Sequence, residues 1–244
     1  MSDPVSLGTP PFSVEEIISH LEEFAQLYQQ RPIQDNSGGM EAPQMFPAWL
    51  MAKKIQPKYI IESGVWYGQG TWFFEKACPD SSIVCIDPYL ENIKYTSPNA
   101  QYTKVDFSNI NWNSTEVVPS QTLCFFDDHQ NAVSRLPVAK KYKFTDLMFE
   151  DNYPRGRGDC VSLKTVLEEG KDESSLVKEY LDTYYEFPPV VRGENTRWGD
   201  PWCNESYPTY DALLTESTED FEDYFEGYQN YTWICYARMK NETV

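Results

Sequence analysis

Four short apolar runs in this chain each close on an acidic residue. Tyr59-Ile60-Ile61 ends at Glu62 and Ile83-Val84-Cys85-Ile86 ends at Asp87. Leu123-Cys124-Phe125-Phe126 ends at Asp127, and Leu147-Met148-Phe149 ends at Glu150-Asp151-Asn152. Runs this short, continuous rather than alternating, are the pattern of strands buried on both faces. Helix-capable stretches, 70–77 and 132–141, lie between them, with a weaker strand near 102–105 that ends at Asp106. Apolar strands alternating with helices predict an α/β sheet with parallel strands. Such sheets bind ligands at the carboxyl ends of their strands. The terminal acids therefore fall on the rim where chemistry is done.

The flanks divide the chain. Residues 1–12 read as a loose leader, and residues 14–30 carry apolar positions at helical spacing. Ser13 is the expected N-cap there, with Glu16 completing a capping box. Residues 31–43 hold Pro, Asn, Ser and Gly-Gly and read as a loop. This gives an N-terminal leader and helix over 1–43 and a main domain over 44–244, opening on a helix near 44–55. Residues 161–182 read as helix interrupted near Gly170. Residues 183–210 are rich in aromatics and Pro, and are expected to form an ordered insertion or lid that shapes an acceptor pocket; a packed structural excursion is the other reading. Residues 216–226 read as an acidic, solvated helix face, and Tyr231–Met239 as the final strand.

Composition excludes several classes. Of 244 residues, 41% are hydrophobic and 15% aromatic, so the chain has material for a core and is not disordered throughout. Lys and Arg number 20 against 38 Asp and Glu, a net charge of −18. Phosphate-tracking nucleic-acid binding needs a basic face, and an anionic membrane surface would repel this chain. No run of about 18 apolar residues exists to span a bilayer. The start lacks the basic residues and apolar run of a signal peptide, so a reduced, cytoplasmic chain is expected. The six cysteines show no zinc-ligand spacing, and Cys85 and Cys124, inside apolar runs, read as core residues. The sequons at Asn113, Asn204, Asn230 and Asn241 are read as chance occurrences.

The densest signal is Ile60-Ile61-Glu62-Ser63-Gly64-Val65-Trp66-Tyr67-Gly68-Gln69-Gly70-Thr71: a strand, a glycine-rich turn and a helix start. Glycines serve where backbone turns tightly and approaches a ligand. The spacing is neither the dinucleotide fingerprint nor a P-loop. Glu62 could hold a cationic amine near the turn. Asp87, ending the next strand, stands where an acid can accept ribose hydroxyls.

These residues resemble the class I S-adenosylmethionine-dependent methyltransferases. The resemblance is to the small-molecule O-methyltransferase branch, with its catechol-type and cephalosporin-hydroxylase-like members, and it covers roughly residues 45–170 and the last strand. It implies a Rossmann-like, mostly parallel sheet of about seven strands with helices on both faces and an antiparallel final strand. By the resemblance Gly64, Gly68 and Gly70 would line the methionine and ribose part of the cofactor, with Glu62 beside the methionine or the turn. Asp87 would bind the ribose, and Asp106 with Phe107 would flank the adenine.

A second constellation is Phe126-Asp127-Asp128-His129-Gln130 together with Glu150-Asp151-Asn152. Oxygen ligands on adjacent strand ends suit a hard divalent cation such as Mg²⁺. Metal-dependent O-methyltransferases hold such an ion with an Asp after the fourth strand and an Asp-Asn pair after the fifth. Asp127 or Asp128, Asp151 and Asn152 match that pattern. His129 is then a candidate general base, with Asp127 on the catalytic side; a cofactor-contacting or structural histidine is the other reading. The catechol-type enzymes place a Lys just after the fourth-strand Asp, whereas here Gln130 and Asn131 follow His129. Helix capping is the other reading of Asp127 and Asp151. Arg155 and Arg157, in Tyr153-Pro154-Arg155-Gly156-Arg157-Gly158-Asp159, suggest a substrate loop, since guanidinium groups bind anions bidentately. The expected activity is methyl transfer from S-adenosylmethionine to a sugar, polyol or phenol. The partner is then a small-molecule or glycan acceptor, and a homo-oligomer stays open. A second hypothesis, a non-catalytic binding protein on the same fold, would not require cofactor affinity.

Overall fold

The computed structural model describes residues 5–170, 172–190, 210–214 and 230–241. Three helices, α1 (Val14–Ser19), α2 (Leu21–Gln29) and α3 (Ala42–Ile55), precede the sheet. Then come β1 (Tyr59–Ser63), α4 (Gln69–Ala77), β2 (Ser82–Ile86), β3 (Ala100–Thr103), β4 (Thr122–Phe126), α5 (Ala132–Tyr142) and β5 (Asp146–Phe149). α6 (Leu163–Glu169), α7 (Asp172–Tyr180), β6 (Leu181–Glu186) and β7 (Cys235–Met239) follow. The seven strands lie in the order β3-β2-β1-β4-β5-β7-β6. Strands β1 to β5 pair in parallel, and β7 runs antiparallel between β5 and β6.

Two apolar layers cover the sheet. One face puts Ile60, Ile83, Leu123, Phe125 and Met148 under α1 to α4; the other puts Ile61, Cys124, Phe126, Leu147 and Phe149 under α5 to α7. Successive residues of one strand serve opposite faces, as the pleat requires. That explains why the strands read as unbroken apolar runs. Cys85 and Cys124 are fully buried, as read from the sequence.

Several expectations change. The helix over 14–30 is two helices that meet at His20. Ser13 caps α1 by accepting the Glu16 amide, but the Glu16 carboxylate pairs with Lys54 of α3 at 2.8 Å rather than closing a capping box. Residues 5–12, expected as a loose leader, are fastened down: Leu7 pairs its backbone with Tyr184 in both directions, and Phe12 is buried. The last strand is Cys235–Met239, four residues shorter at its start than expected. The stretch 183–210 does not begin as an insertion, because β6 occupies Leu181–Glu186. Its short run, Leu181-Asp-Thr-Tyr-Tyr-Glu, mixes polar and aromatic residues and carries a register shift at Leu181/Thr183, which blurs the alternation. Residues 191–209 and the acidic stretch 216–226 lie outside the described residues. No described helix is long and apolar enough to cross a membrane.

Candidate active site

The carboxyl ends of β1, β2, β4 and β5 open into a cavity of about 960 Å³. Its floor is the loop after β1. Gly64 stands there at φ +92°, and a Cβ would run into the backbone carbonyl of Asp127, so only glycine lets the β1 and β4 loops lie together. Gly64 lines the cavity; Gly68, Gly70 and Glu62 are not among its lining residues. Gly68 instead caps α4 in the left-handed conformation. Gly70 packs against the Glu62 carboxylate, which would meet any Cβ placed there. Glu62 is fully buried, accepts a hydrogen bond from the Thr71 hydroxyl, and leaves Oε1 without a partner. Burial pushes its carboxyl up to about 8, against the pull of Thr71 and Cys85.

Asp87 lines the cavity and organises the floor. Its Oδ2 accepts the amides of Val65 and Trp66 at 2.9 and 3.0 Å, and its Oδ1 accepts the amide of Tyr89 at 2.7 Å. A carboxylate offers about four lone-pair sites, so three amides leave one acceptor position. Trp66 and Tyr89, both exposed, flank Asp87 at the cavity wall.

Asp106 and Asp128 also line the cavity, and both are tied to one cation. Arg135 of α5, 3% exposed, donates to both oxygens of Asp106 at 2.9 and 2.8 Å and to Asp128 Oδ2 at 2.6 Å. The Arg135 hydrogen bond holds the Asp106 carboxyl below its ordinary value. Ser63 Oγ donates to the same Asp128 oxygen. Phe107 is not on the cavity wall: it is fully buried against Trp112, Phe126 and Phe144.

At the β4–β5 corner Asp127, His129 and Asp151 come together, with one ligand atom of each within 4.8 Å of the others. The His129 amide donates to Asp151 Oδ2 at 3.0 Å. The imidazole Nδ1 lies 3.2 Å from Asp159 Oδ1 and 3.5 Å from Asp151 Oδ1. Asp151 is 6% exposed, and its Oδ1 has no hydrogen-bond partner. Burial raises its carboxyl above the ordinary value, with His129 opposing. Asn152 points the other way. Its amide donates to the Tyr184 hydroxyl and the Trp233 carbonyl, and its oxygen accepts the Lys164 amide. Beneath it, Lys164 and Glu186 form a buried ion pair at 3.0 Å. Arg155 is exposed and Arg157 half-buried; both sit on the loop that carries Asp151 and Asp159, and neither lines the cavity.

Sequence reasoning missed three contributors. Arg135 sits on the buried face of α5, between Ala132 and Leu136, and its only sequence signal is a cation in a largely apolar stretch. Trp66, inside the glycine-rich turn, carries no sequence signal that sets it on the cavity wall. The third is the wall formed by Gly38, Gly39, Met40 and Glu41, which lies in what read as a plain loop. That wall is pinned: Trp66 Nε1 donates to the Ser37 carbonyl and Gln69 to that of Met40, while Asn230 donates to Glu41.

No family model and no curated protein matches the chain. Solved structures do. Cofactor-bound Rv0187 from MTB is 13% identical with a TM-score of 0.53, covering 96% of this chain and 99% of that one. The O-methyltransferase TomG from Streptomyces achromogenes, involved in tomaymycin synthesis and in complex with SAM, is 12% identical with a TM-score of 0.52. It covers 91% of this chain and 89% of its own. Together with the strand order, the likeness shows that this chain shares the fold of these two structures, a mostly parallel seven-stranded α/β sheet with one antiparallel strand.

Proposed function

We propose that the chain is an S-adenosylmethionine-dependent O-methyltransferase acting on a small hydroxylated acceptor, a sugar, polyol or phenol, with a divalent cation at the β4–β5 corner. One observation carries this reading: Asp87, with an acceptor position left over, lines the same cavity as Asp127 and His129, two members of the Asp127–His129–Asp151 cluster. Its volume is at the upper end of the usual range for small-molecule sites, roughly 300–1,000 Å³, which suits a cofactor and an acceptor together.

The residues fit both groups. For the cofactor, Asp87 has the remaining lone pair for a ribose hydroxyl, and Trp66 and Tyr89 supply aromatic surface beside it. For the cation, Asp151 has a buried oxygen without a hydrogen-bond partner beside a second carboxylate. When bound, the cofactor supplies a methyl on a sulfonium, and a divalent ion, Mg²⁺ on the sequence reading, makes a hydroxyl on it more acidic.

The chain's own residues hold the reactants in line. Asp87 fixes the loop 64–66 and, through it, the cofactor end of the cavity. Asp127 and Asp151 draw the acceptor's hydroxyls to the β4–β5 corner. As the acceptor oxygen forms its bond to the methyl carbon, the carbon–sulfur bond breaks and its electron pair stays on sulfur; the hydroxyl proton leaves to a base. Two roles are open to His129 there, proton acceptor and ion ligand. The excess of carboxylates on the wall favours neutral or cationic acceptors, and the net charge of −18 argues against nucleic acid.

Calorimetry with S-adenosylmethionine and an assay for methyl transfer to a panel of polyols and phenols test the reading. Saturable cofactor binding with chelator-sensitive transfer is the expected result. A folded protein with no cofactor affinity would overturn it.

A further inference from the structure

The cation site described above follows from the reading of the β4 and β5 strand ends, and this inference rests on that reading. The chemical class of the ion follows from which side chains are available. An oxygen-only set would draw on Asp127 or Asp128, Asp151 and Asn152. Two of those are committed elsewhere. Asp128 shares one oxygen between Arg135 and Ser63 Oγ, and its other oxygen accepts the Gln130 amide at 3.2 Å. The Asn152 side chain spends its oxygen on the Lys164 amide and its nitrogen on Tyr184 and Trp233, and it is fully buried.

What converges is Asp127, Asp151 and the His129 imidazole, whose Nδ1 also lies 3.2 Å from Asp159 Oδ1. Donors about 2.1 Å from one ion lie roughly 3 to 4.2 Å from each other, according to whether they are adjacent or opposite. The three ligand atoms, all within 4.8 Å of one another, therefore close on an ion with shifts on the order of 1 Å. A second observation points to a ligand here. Asp151 is nine-tenths buried, and its Oδ1 faces His129 Nδ1 at 3.5 Å, outside hydrogen-bond reach, with no other partner. A His129 backbone at φ +53°, rare for a non-glycine residue, brings the ring over that oxygen, and the amide bond from His129 to Asp151 Oδ2 fixes it there.

We propose that His129 is a ligand and that the site takes a first-row transition ion held by two carboxylates and one imidazole, in preference to Mg²⁺. Imidazole suits transition ions, whereas Mg²⁺ favours oxygen donors and keeps its waters. The acceptor's proton then passes to solvent or to a carboxylate, and His129 is not the base.

The test uses the full chain and Mn²⁺. The chain holds two histidines, His20 and His129. Pulsed electron paramagnetic resonance of the Mn²⁺-loaded protein should show nitrogen coupling of an imidazole. The coupling should persist in His20→Asn and vanish in His129→Ala. By calorimetry, Co²⁺ should bind at least tenfold tighter than Mg²⁺, and His129→Ala should cost at least tenfold for Co²⁺ and less than twofold for Mg²⁺. The wild-type spectrum needs no variant to fold. Bound Mn²⁺ without nitrogen coupling, or a Mg²⁺ affinity equal to that of Co²⁺, would overturn the assignment while leaving an oxygen-ligated site and His129 as base intact. Failure of every ion to bind would overturn both, and cofactor binding would then stand or fall on its own calorimetry.

Discussion

Glu62 and Asp87 show how position decides what the same functional group does. Each ends a strand, but one is sealed under the β1 loop and the other opens onto the cavity. Buried, Glu62 keeps its proton until the pH nears about 8, whereas in the unfolded chain it ionises near 4.5. A carboxyl raised on folding stabilises fully below the unfolded value, and that contribution is lost as pH rises through the folded one. Stability should therefore fall between about pH 4.5 and 8 on account of this group. Glu62→Gln keeps the shape and removes the titration. Urea unfolding at pH 5 and 8.5 should show the variant gaining on the wild type by up to a few kcal/mol at the higher pH. Parallel curves for the two proteins would refute a buried neutral Glu62. Asp87→Ala removes three amide contacts and the proposed ribose partner together. It should weaken S-adenosylmethionine binding by roughly 1.5–3 kcal/mol, the scale of a charge-assisted hydrogen bond, and lower the melting temperature as well. Asp87→Asn separates the effects, because its single oxygen still accepts some of the amides.

Among the elements, α5 links the two halves of the site. Arg135 projects from it to clamp Asp106, at the start of the turn after β3, and Asp128, in the loop after β4. Removing one member of a buried ionic cluster leaves uncompensated charge and costs about 3–5 kcal/mol. Arg135→Met should fall in that range by denaturant unfolding, discounted because the Asp106 side chain is 39% exposed. Asp106→Asn combined with Arg135→Met should recover part of the loss. A single variant as stable as wild type would show the clamp to be ornamental. This element-scale organisation also marks what the sequence could reveal. β1, β2, β4 and β5 were legible because strands buried on both faces leave continuous apolar runs. The terminal acids were legible because the rim of a parallel sheet is where the chain turns. β6 was not, since its residues are half polar and its partner, β7, lies about fifty residues away. Nor could spacing reveal that Asn152 faces inward or that Arg135 occupies Asp128. Those facts depend on which long side chain reaches which carboxylate across elements, and that is a three-dimensional outcome. The break at His20 was equally hidden, because apolar spacing continues through it.

For the whole molecule the deciding quantity is a net charge of −18 carried around an acidic cavity. Self-repulsion of that size destabilises the compact state, and the same field attracts cations. Salt should act on the two effects with opposite sign. Raising NaCl from about 0.01 to 0.1 M shortens the screening length from roughly 30 to 10 Å. Repulsion between distant carboxylates is then largely lost, so the unfolding midpoint should rise. Screening also weakens exposed pairs such as Lys104–Glu91 and Lys54–Glu16, but such pairs contribute about 0–1 kcal/mol each and cannot outweigh the net charge. Over the same range the affinity for the proposed cationic cofactor and for divalent ions should fall, because their attraction to the carboxylates lining the cavity is screened too. Differential scanning fluorimetry and calorimetry on one salt series measure both slopes. Cofactor binding stabilises by about 2.7 kcal/mol at one hundred times its dissociation constant. For a chain of this length that is a shift of roughly 5–10 °C, large enough to follow along the series. The bare protein should become more stable with added salt while the cofactor-induced shift at fixed cofactor concentration shrinks. If both moved in the same direction, the charge would not be acting through the cavity, and the steering of cations to the rim would have to be abandoned.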